Sequence, residues 1–202
     1  MKKIILIILF CAGFKTVSAQ HNSDSTAECN RFIPKQLKLQ FAGNIGFLSI
    51  GAGYQYLNRK VDLDVLYGFV PKVYGGNMHI LTIKNTYTPF QNLHLGNNVK
   101  LDPFTIGIPL SYTFGKKYFF LAPRDQYPKR YYDYSSALRI GIFGGGRIKY
   151  DFGNDNLVKE AALYYELGTY DLMVHNYIFN IGQSKFQDLF SLGLGIQLKF
   201  GN

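Results

Sequence analysis

The sequence predicts an all-β protein, an antiparallel up-and-down transmembrane β-barrel of about eight strands, with ten possible. Segments of alternating apolar and polar residues recur along the chain, as expected where successive side chains point to opposite faces of a strand. The 16 Tyr and 17 Phe occur repeatedly at the ends of these segments. No apolar stretch beyond residue 19 approaches the roughly 20 residues of a spanning helix. Only helices and closed barrels satisfy all backbone polar groups in lipid.

The first 19 residues have the pattern of a secretory signal peptide. Lys2 and Lys3 precede an apolar run over residues 4–14, and small residues follow it up to Ala19, after which cleavage is predicted. Cleavage removes three lysines and lowers the formal net charge from +9 to +6. Cys29 is then the single cysteine, so no intramolecular disulfide is possible. We expect a polar lead over residues 20–34 and one barrel domain over residues 35–202.

Eight segments carry the strand pattern. A phase slip near residues 44–47 indicates a tight turn or a bulge, and short polar turns are predicted at residues 58–60 and 151–155. Longer connections are predicted near residues 71–77, 115–134 and 169–186, and the connection 89–98 is longer than the short turns expected at its end of the barrel. The stretch 169–186 is less regular, and a hairpin within it would give ten strands. The eight segments are residues 35–42, 48–56, 61–69, 78–88, 104–114, 138–150, 157–168 and 191–200.

The last strand shows the division between faces most clearly. From Ser191 to Phe200, leucine, isoleucine and phenylalanine alternate with serine, glycine, glutamine and lysine. A soluble lipocalin-like barrel or β-sandwich would bury the apolar face and expose the polar one. The many glycines on the polar faces fit a narrow, filled interior, and the aromatic residues at strand ends fit an interfacial girdle. Both features favour the membrane barrel.

The segment Gly195-Ile196-Gln197-Leu198-Lys199-Phe200 resembles the C-terminal insertion signal of small outer-membrane β-barrel proteins of Gram-negative bacteria. In that signal, a glycine is followed at fixed spacing by two apolar residues, the second of them aromatic. The resemblance implies an outer-membrane location, and it implies recognition by the barrel-assembly machinery through Gly195, Leu198 and Phe200. It implies no particular activity.

Charged residues recur on the polar faces of the predicted strands. An isolated buried ion is very costly, so we expect these side chains to form an ion-pair network that fills the barrel interior. The alternative is a conduction path for small solutes, although an eight-stranded barrel is only wide enough for side chains. Lys38 and Lys84 also fall on these faces. The predicted network comprises Asp62, Asp64, Arg139, Arg147, Lys149, Glu160, Glu166 and Lys199.

The predicted connection 115–134 combines basic and aromatic residues. On an external loop, its cations could bind the phosphates of lipopolysaccharide and its aromatic rings the acyl or sugar groups. The alternative is an ordinary solvated loop next to girdle residues. Nucleic acid is not expected as a partner, because no nucleic-acid motif occurs. The candidate cations are Lys116, Lys117, Arg124, Lys129 and Arg130.

One enzymatic alternative concerns His175. Lipid A deacylases are small barrels that carry a histidine two residues before a serine nucleophile, together with a distant acid. In this chain Glu166 or Asp171 would orient His175, but Tyr177 stands at the position of the serine. The histidines show no metal-ligand spacing, and no phosphate-binding glycine motif occurs. The sequence therefore predicts neither a metal nor a cofactor.

Overall fold

Nine strands make up most of the chain that the computed structural model describes, which comprises residues 34–74, 76–115, 117–119, 135–153, 156–180 and 185–201. The predicted signal peptide and nearly all of the predicted lead lie outside these ranges. The strands are β1 (Gln36–Ala42), β2 (Leu48–Tyr56), β3 (Val61–Val70), β4 (Met78–Phe90), β5 (Leu93–His94), β6 (Val99–Phe114), β7 (Leu138–Asp151), β8 (Val158–Tyr170) and β9 (Ser191–Phe200).

The eight long strands form a closed antiparallel barrel. Each pairs with its neighbours along the chain, and β4 pairs with β6 across the short β5, which lies along one end of β6. Pairing of β1 with β9 closes the ring, with Gln36 opposite Lys199 and Ala42 opposite Gly193. The predicted fold class, an all-β antiparallel barrel of eight strands, is confirmed.

The irregular stretch after β8 does not add two barrel strands. Helix α1 (Asp171–Phe179) follows β8 directly, and a 3-10 turn (Phe186–Leu189) precedes β9. A second 3-10 turn (Lys72–Tyr74) joins β3 to β4. Within the described ranges, no helix has the length and apolar character needed to cross a membrane.

The two ends of the barrel differ. At one end, here called the terminal end, β1 begins, β9 ends, and the connections 57–60, 91–98 and 152–157 join neighbouring strands. The opposite end, here called the loop end, carries the tight turn 43–47, both 3-10 turns and α1.

The barrel is polar inside and apolar outside. Along β4, for example, Thr82, Lys84 and Thr86 are buried, whereas Leu81 and Ile83 are exposed. The same division holds for the other long strands, whose inward side chains are mostly charged, amide or hydroxyl groups. It is the reverse of the soluble-barrel alternative, which would bury the apolar face.

Strand β6 begins at Val99, five residues before the predicted start at residue 104. Its pairing with β7 shifts register between Asp102 and Thr105, so one extra residue lies on β6. A bulge of this kind changes the face on which later residues fall. Asp102 and Thr105 therefore both point inward, although three positions separate them.

The turn between β1 and β2 closes the loop end. Its Ile45 side chain is buried against Leu66 and Tyr170, and Met173 of α1 packs over this cluster. The turn approaches β3 so closely that a Cβ atom on Gly68 would collide with the Ile45 carbonyl oxygen. An apolar plug formed by Ile45, Leu66, Tyr170 and Met173 thus covers the interior at this end.

Candidate functional site

The candidate site is the barrel interior, where ten charged side chains of the described residues are buried. Five are cationic and five anionic, so the set is neutral as a whole. Neutrality matters because an unpaired charge in a low-dielectric interior is strongly destabilising. The ten residues are Lys38, Lys84, Arg147, Lys149 and Lys199 with Asp62, Asp64, Asp102, Glu160 and Glu166.

Arg147 on β7 lies at the centre of this network. Its Nε donates to Asp102 Oδ2 over 2.6 Å, and its Nη1 donates to Asp62 Oδ2 over 2.7 Å. Nη1 also donates to Gln197 Oε1 over 3.1 Å, and Nη2 donates to Thr88 over 3.0 Å. One guanidinium thus bridges five strands, which its planar set of donors allows.

Lys149 completes the pairing of Asp102. Its Nζ lies 2.6 Å from Asp102 Oδ1, so each carboxylate oxygen of Asp102 accepts from a different cation. Lys149 also donates to Asn92 Oδ1, and the Asn92 backbone N–H donates to Asp102 Oδ1. The connection after β4 is thereby tied to the network.

Lys38 extends the network to β1. Its Nζ lies 2.6 Å from Asp64 Oδ2 and 3.7 Å from Asp62 Oδ2. Gln36 donates to the other oxygen of Asp64 over 2.6 Å and accepts from Gln197 over 2.5 Å. Since Gln197 also accepts from Arg147, the two acid clusters belong to one continuous hydrogen-bonded system.

Lys84 and Glu166 form a second group nearer the loop end. Lys84 Nζ donates to the Glu166 carboxylate at 2.8 and 3.0 Å and to Gln40 Oε1 at 2.8 Å. The Tyr164 hydroxyl also donates to Gln40, and the Lys84 ammonium lies 5.4 Å from the Tyr164 ring centroid and 5.3 Å from that of Phe143. Cations and aromatic rings attract at such distances.

The structure buries seven of the eight charges predicted for the interior. The exception is Arg139, which is half-buried at the loop end. Its Nη1 lies 3.6 Å from Asp171 Oδ2 on α1, and it also donates to the Ser135 carbonyl oxygen. Glu160 and Lys199 form a separate pair near the terminal end, with 2.7 Å between Oε1 and Nζ.

The candidate acids for His175 lie in different places. Glu166 is inside the barrel and holds Lys84, whereas Asp171 is on α1, one helical turn before His175. The His175 ring packs on Phe179, with 4.3 Å between the ring centroids. Asp171 itself pairs with Arg139.

Most of the candidate lipopolysaccharide-binding cations lie outside the described residues, namely Lys116, Arg124, Lys129 and Arg130. Lys117 is described, and it is exposed just beyond the loop end of β6. The predicted insertion signal forms the last part of β9. Its Gly195 points inward, where a Cβ atom would collide with the Tyr164 ring, and Leu198 and Phe200 are half-buried.

Some interior residues had not been singled out from the sequence. Asp102 was missed because it precedes the predicted strand and its facing depends on the β6 bulge. Gln36, Gln40 and Gln197 alternate with apolar residues and so fall on polar faces, but their role as bridges between ion pairs has no sequence signal. The alternation placed them on the correct face, and only the closed ring brings β1 and β9 together.

A scan against protein-family models finds no match to this chain, and a search of curated proteins also finds none. Among the residues described, no group of three or more His, Cys, Asp or Glu side chains is placed to hold a metal ion. The function is therefore argued from the fold and from the geometry of the interior.

Proposed function

We propose that this protein is a membrane-spanning barrel of the bacterial outer membrane that acts as a sealed scaffold and presents its loop end at the cell surface. The observation that carries the proposal is the inverted distribution of side chains, polar within and apolar without. In water such a surface would be an aggregation hazard. In lipid it is the surface that a barrel needs.

Two belts of exposed aromatic side chains support a membrane location. Transmembrane barrels carry such belts at both interfaces, on either side of an apolar band about 25 Å tall. Strand β6 carries Phe104 near one belt and Phe114 near the other. The distance from Phe104 to Phe114 is about 34 Å along the strand. At a typical strand tilt of about 40°, it corresponds to about 26 Å along the membrane normal. The terminal-end belt includes Tyr56, Tyr87, Phe90, Phe104, Tyr150 and Phe152, and the loop-end belt Phe41, Tyr67, Tyr112 and Phe114.

The filled interior favours a scaffold over a channel. Arg147 and Lys84 are each held by several partners from different strands. Lys84 cannot move aside without leaving the buried Glu166 unpaired, and Arg147 cannot do so without breaking its ion pairs to Asp62 and Asp102. The apolar plug around Ile45 covers the loop end above them. A conduction path would need both the ion-pair network and the apolar plug to rearrange.

Lipopolysaccharide is the surface partner that we propose for the loop end. Lys117 is exposed there, and the sequence around it is rich in cations and aromatic residues. Phosphate groups pair strongly with such cations. We further propose that the β9 segment with Gly195, Leu198 and Phe200 is read by the barrel-assembly machinery, which the resemblance of its sequence supports.

The location is tested by fractionation of the expressed full-length protein. We expect it in the outer-membrane fraction, with faster gel migration in unheated than in boiled samples after detergent extraction. A periplasmic monomer that needs no detergent for solubility would refute the membrane proposal. Co-purified lipopolysaccharide, compared between the wild type and a variant with Lys116, Lys117, Arg124, Lys129 and Arg130 changed to Ala, tests the surface partner separately.

A further inference from the structure

The terminal end of the barrel holds a cavity of about 310 Å³, here called the vestibule. In contrast to the loop end, none of the described residues forms an apolar plug over it. Residues from all around the ring contribute to its wall. They are Lys35, Gln55, Arg59, Asn92, Lys100, Asp151, Lys159, Glu160, Lys199 and Phe200.

The vestibule is strongly basic. Five of its lining residues are cations and two are acids. Lys100 pairs with Asp151 at 2.6 Å, and Lys199 pairs with Glu160 at 2.7 Å, which accounts for both acids. The remaining cations, Lys35, Arg59 and Lys159, make no ion pair within the described ranges. The excess of three positive charges contrasts with the neutral network deeper in the barrel.

The floor of the vestibule is hydrogen-bonded to the interior network. Gln55 donates to Asp62 over 2.7 Å, and Asn92 accepts from Lys149 over 2.7 Å, so two wall residues also belong to the interior network. Because the acids below are already paired, they cannot neutralise the cations at the mouth. The concave end therefore keeps a positive potential, which its low-dielectric walls strengthen.

The backbone fixes the mouth as well. Lys35 lies between two strands, with its N–H donating to Gly53 and its carbonyl accepting from Phe200 at 3.0 Å each. Arg59 lies in a turn where Leu57, Asn58 and Arg59 have φ values of 48°, 55° and 66°. Such values are uncommon outside glycine. Gln91 donates to the Arg59 carbonyl oxygen and ties this turn to the next connection.

We infer that the vestibule is a binding site for a phosphate-bearing anion with two or more negative charges, held by Lys35, Arg59 and Lys159. Arg59 can bind a phosphate through two parallel hydrogen bonds, and the lysines supply point charges. A volume of about 310 Å³ lies at the lower end of small-molecule sites, so a compact ligand or a single headgroup fits. The inference does not depend on the membrane location, because the vestibule belongs to the folded barrel itself.

The test is calorimetric titration of pyrophosphate into the folded full-length protein in an uncharged maltoside detergent. We expect saturable binding of one equivalent. The double variant R59E/K159E should weaken binding by about tenfold or more, since each lost charge-assisted contact is substantial. The control K72E/K185E changes the net charge equally with two exposed lysines at the loop end, and it should bind as the wild type does.

A second arm separates the two sources of phosphate. The detergent-solubilised protein is incubated with phosphatidic acid, whose phosphomonoester carries up to two negative charges, and the lipid retained after gel filtration is measured with and without pyrophosphate. Displacement of retained lipid by pyrophosphate, lost in R59E/K159E, assigns the site to a lipid headgroup. Pyrophosphate binding without lipid retention assigns it to a soluble phosphate compound. Absence of saturable pyrophosphate binding, or equal weakening of that binding in both double variants, would overturn the inference.

Discussion

Asp102 and Arg147 face each other across β6 and β7, with 2.6 Å between the carboxylate Oδ2 and the guanidinium Nε. Both side chains are almost completely buried, and Asp62 and Lys149 complete their pairing. Removing one partner of a buried pair leaves the other charged group uncompensated. The stability of the barrel should therefore depend on this pair far more than on ion pairs at its ends.

The first prediction concerns Arg147. Arg147→Ala leaves Asp62 and Asp102 without their shared guanidinium, and we expect it to lower the free energy of unfolding by about 3–5 kcal/mol. Urea titration in phospholipid vesicles measures this, with tyrosine fluorescence as the signal because the chain has no tryptophan.

Arg139→Ala is the matched control for Arg147→Ala. Arg139 lies on the same strand, but its partner Asp171 is a quarter exposed, so the pair is screened by solvent. We expect a loss of about 1 kcal/mol or less. Equal losses for the two variants would contradict the central role of Arg147.

The second prediction concerns charge balance around Asp102. Asp102→Asn keeps the shape of the side chain but leaves Lys149 and Arg147 with excess positive charge, so it should destabilise the barrel. Adding Lys149→Met removes one excess cation and should recover part of the loss. A double-mutant cycle should give a coupling energy of about 0.5–3 kcal/mol. If the losses of unfolding free energy in Asp102→Asn and Lys149→Met simply add in the double variant, the result would argue against a balanced network.

The third prediction separates packing from recognition at Gly195. A Cβ atom there would collide with the Tyr164 ring and the Leu39 carbonyl oxygen. Gly195→Ala should therefore cost about 1–3 kcal/mol through overpacking, even when the barrel refolds in vesicles without any assembly machinery. Gly96→Ala is the control, because nothing lies within 4 Å of its Cβ position. Normal refolding of Gly195→Ala would show that this glycine is not needed for packing.

The fourth prediction is that the protein does not conduct ions across a bilayer. Ile45 covers one end and the Lys84–Glu166 pair lies beneath it, so we expect no continuous aqueous path through the barrel. Purified protein in planar bilayers should show no steady current at moderate voltage. Reproducible, ion-selective conductance would favour the channel alternative.

The fold could be predicted from sequence because successive residues of a barrel strand face the interior and the exterior in turn, so polar and apolar residues alternate. Interior charges such as Asp62, Lys149 and Glu166 could be placed on the inner face by the same alternation. Arg139 followed the pattern too, yet its position at the end of β7 allows it to reach Asp171 on α1 instead. Alternation specifies a face, whereas the height along the strand decides the partner.

Three features of the structure could not be predicted from the sequence, each for a physical reason. The inward position of Asp102 depends on a bulge, which interrupts the period that the prediction used. Helix α1 lacks a strongly one-sided apolar pattern, so residues 171–179 gave no clear helical signal. The vestibule collects single residues from strand ends far apart in sequence, and only closure of the ring brings them together.

The most direct measurement is the free energy of unfolding in phospholipid vesicles for Ile108→Lys and Val73→Lys. Ile108 is exposed on β6 midway between the two aromatic belts, and Val73 is exposed at the loop end. A lysine at the middle of a lipid-facing band costs about 2–4 kcal/mol, whereas a lysine in the loop-end turn should cost little. We therefore expect a lower free energy of unfolding for Ile108→Lys than for Val73→Lys. Wild-type stability for both variants would contradict a barrel whose apolar outer face is embedded in lipid.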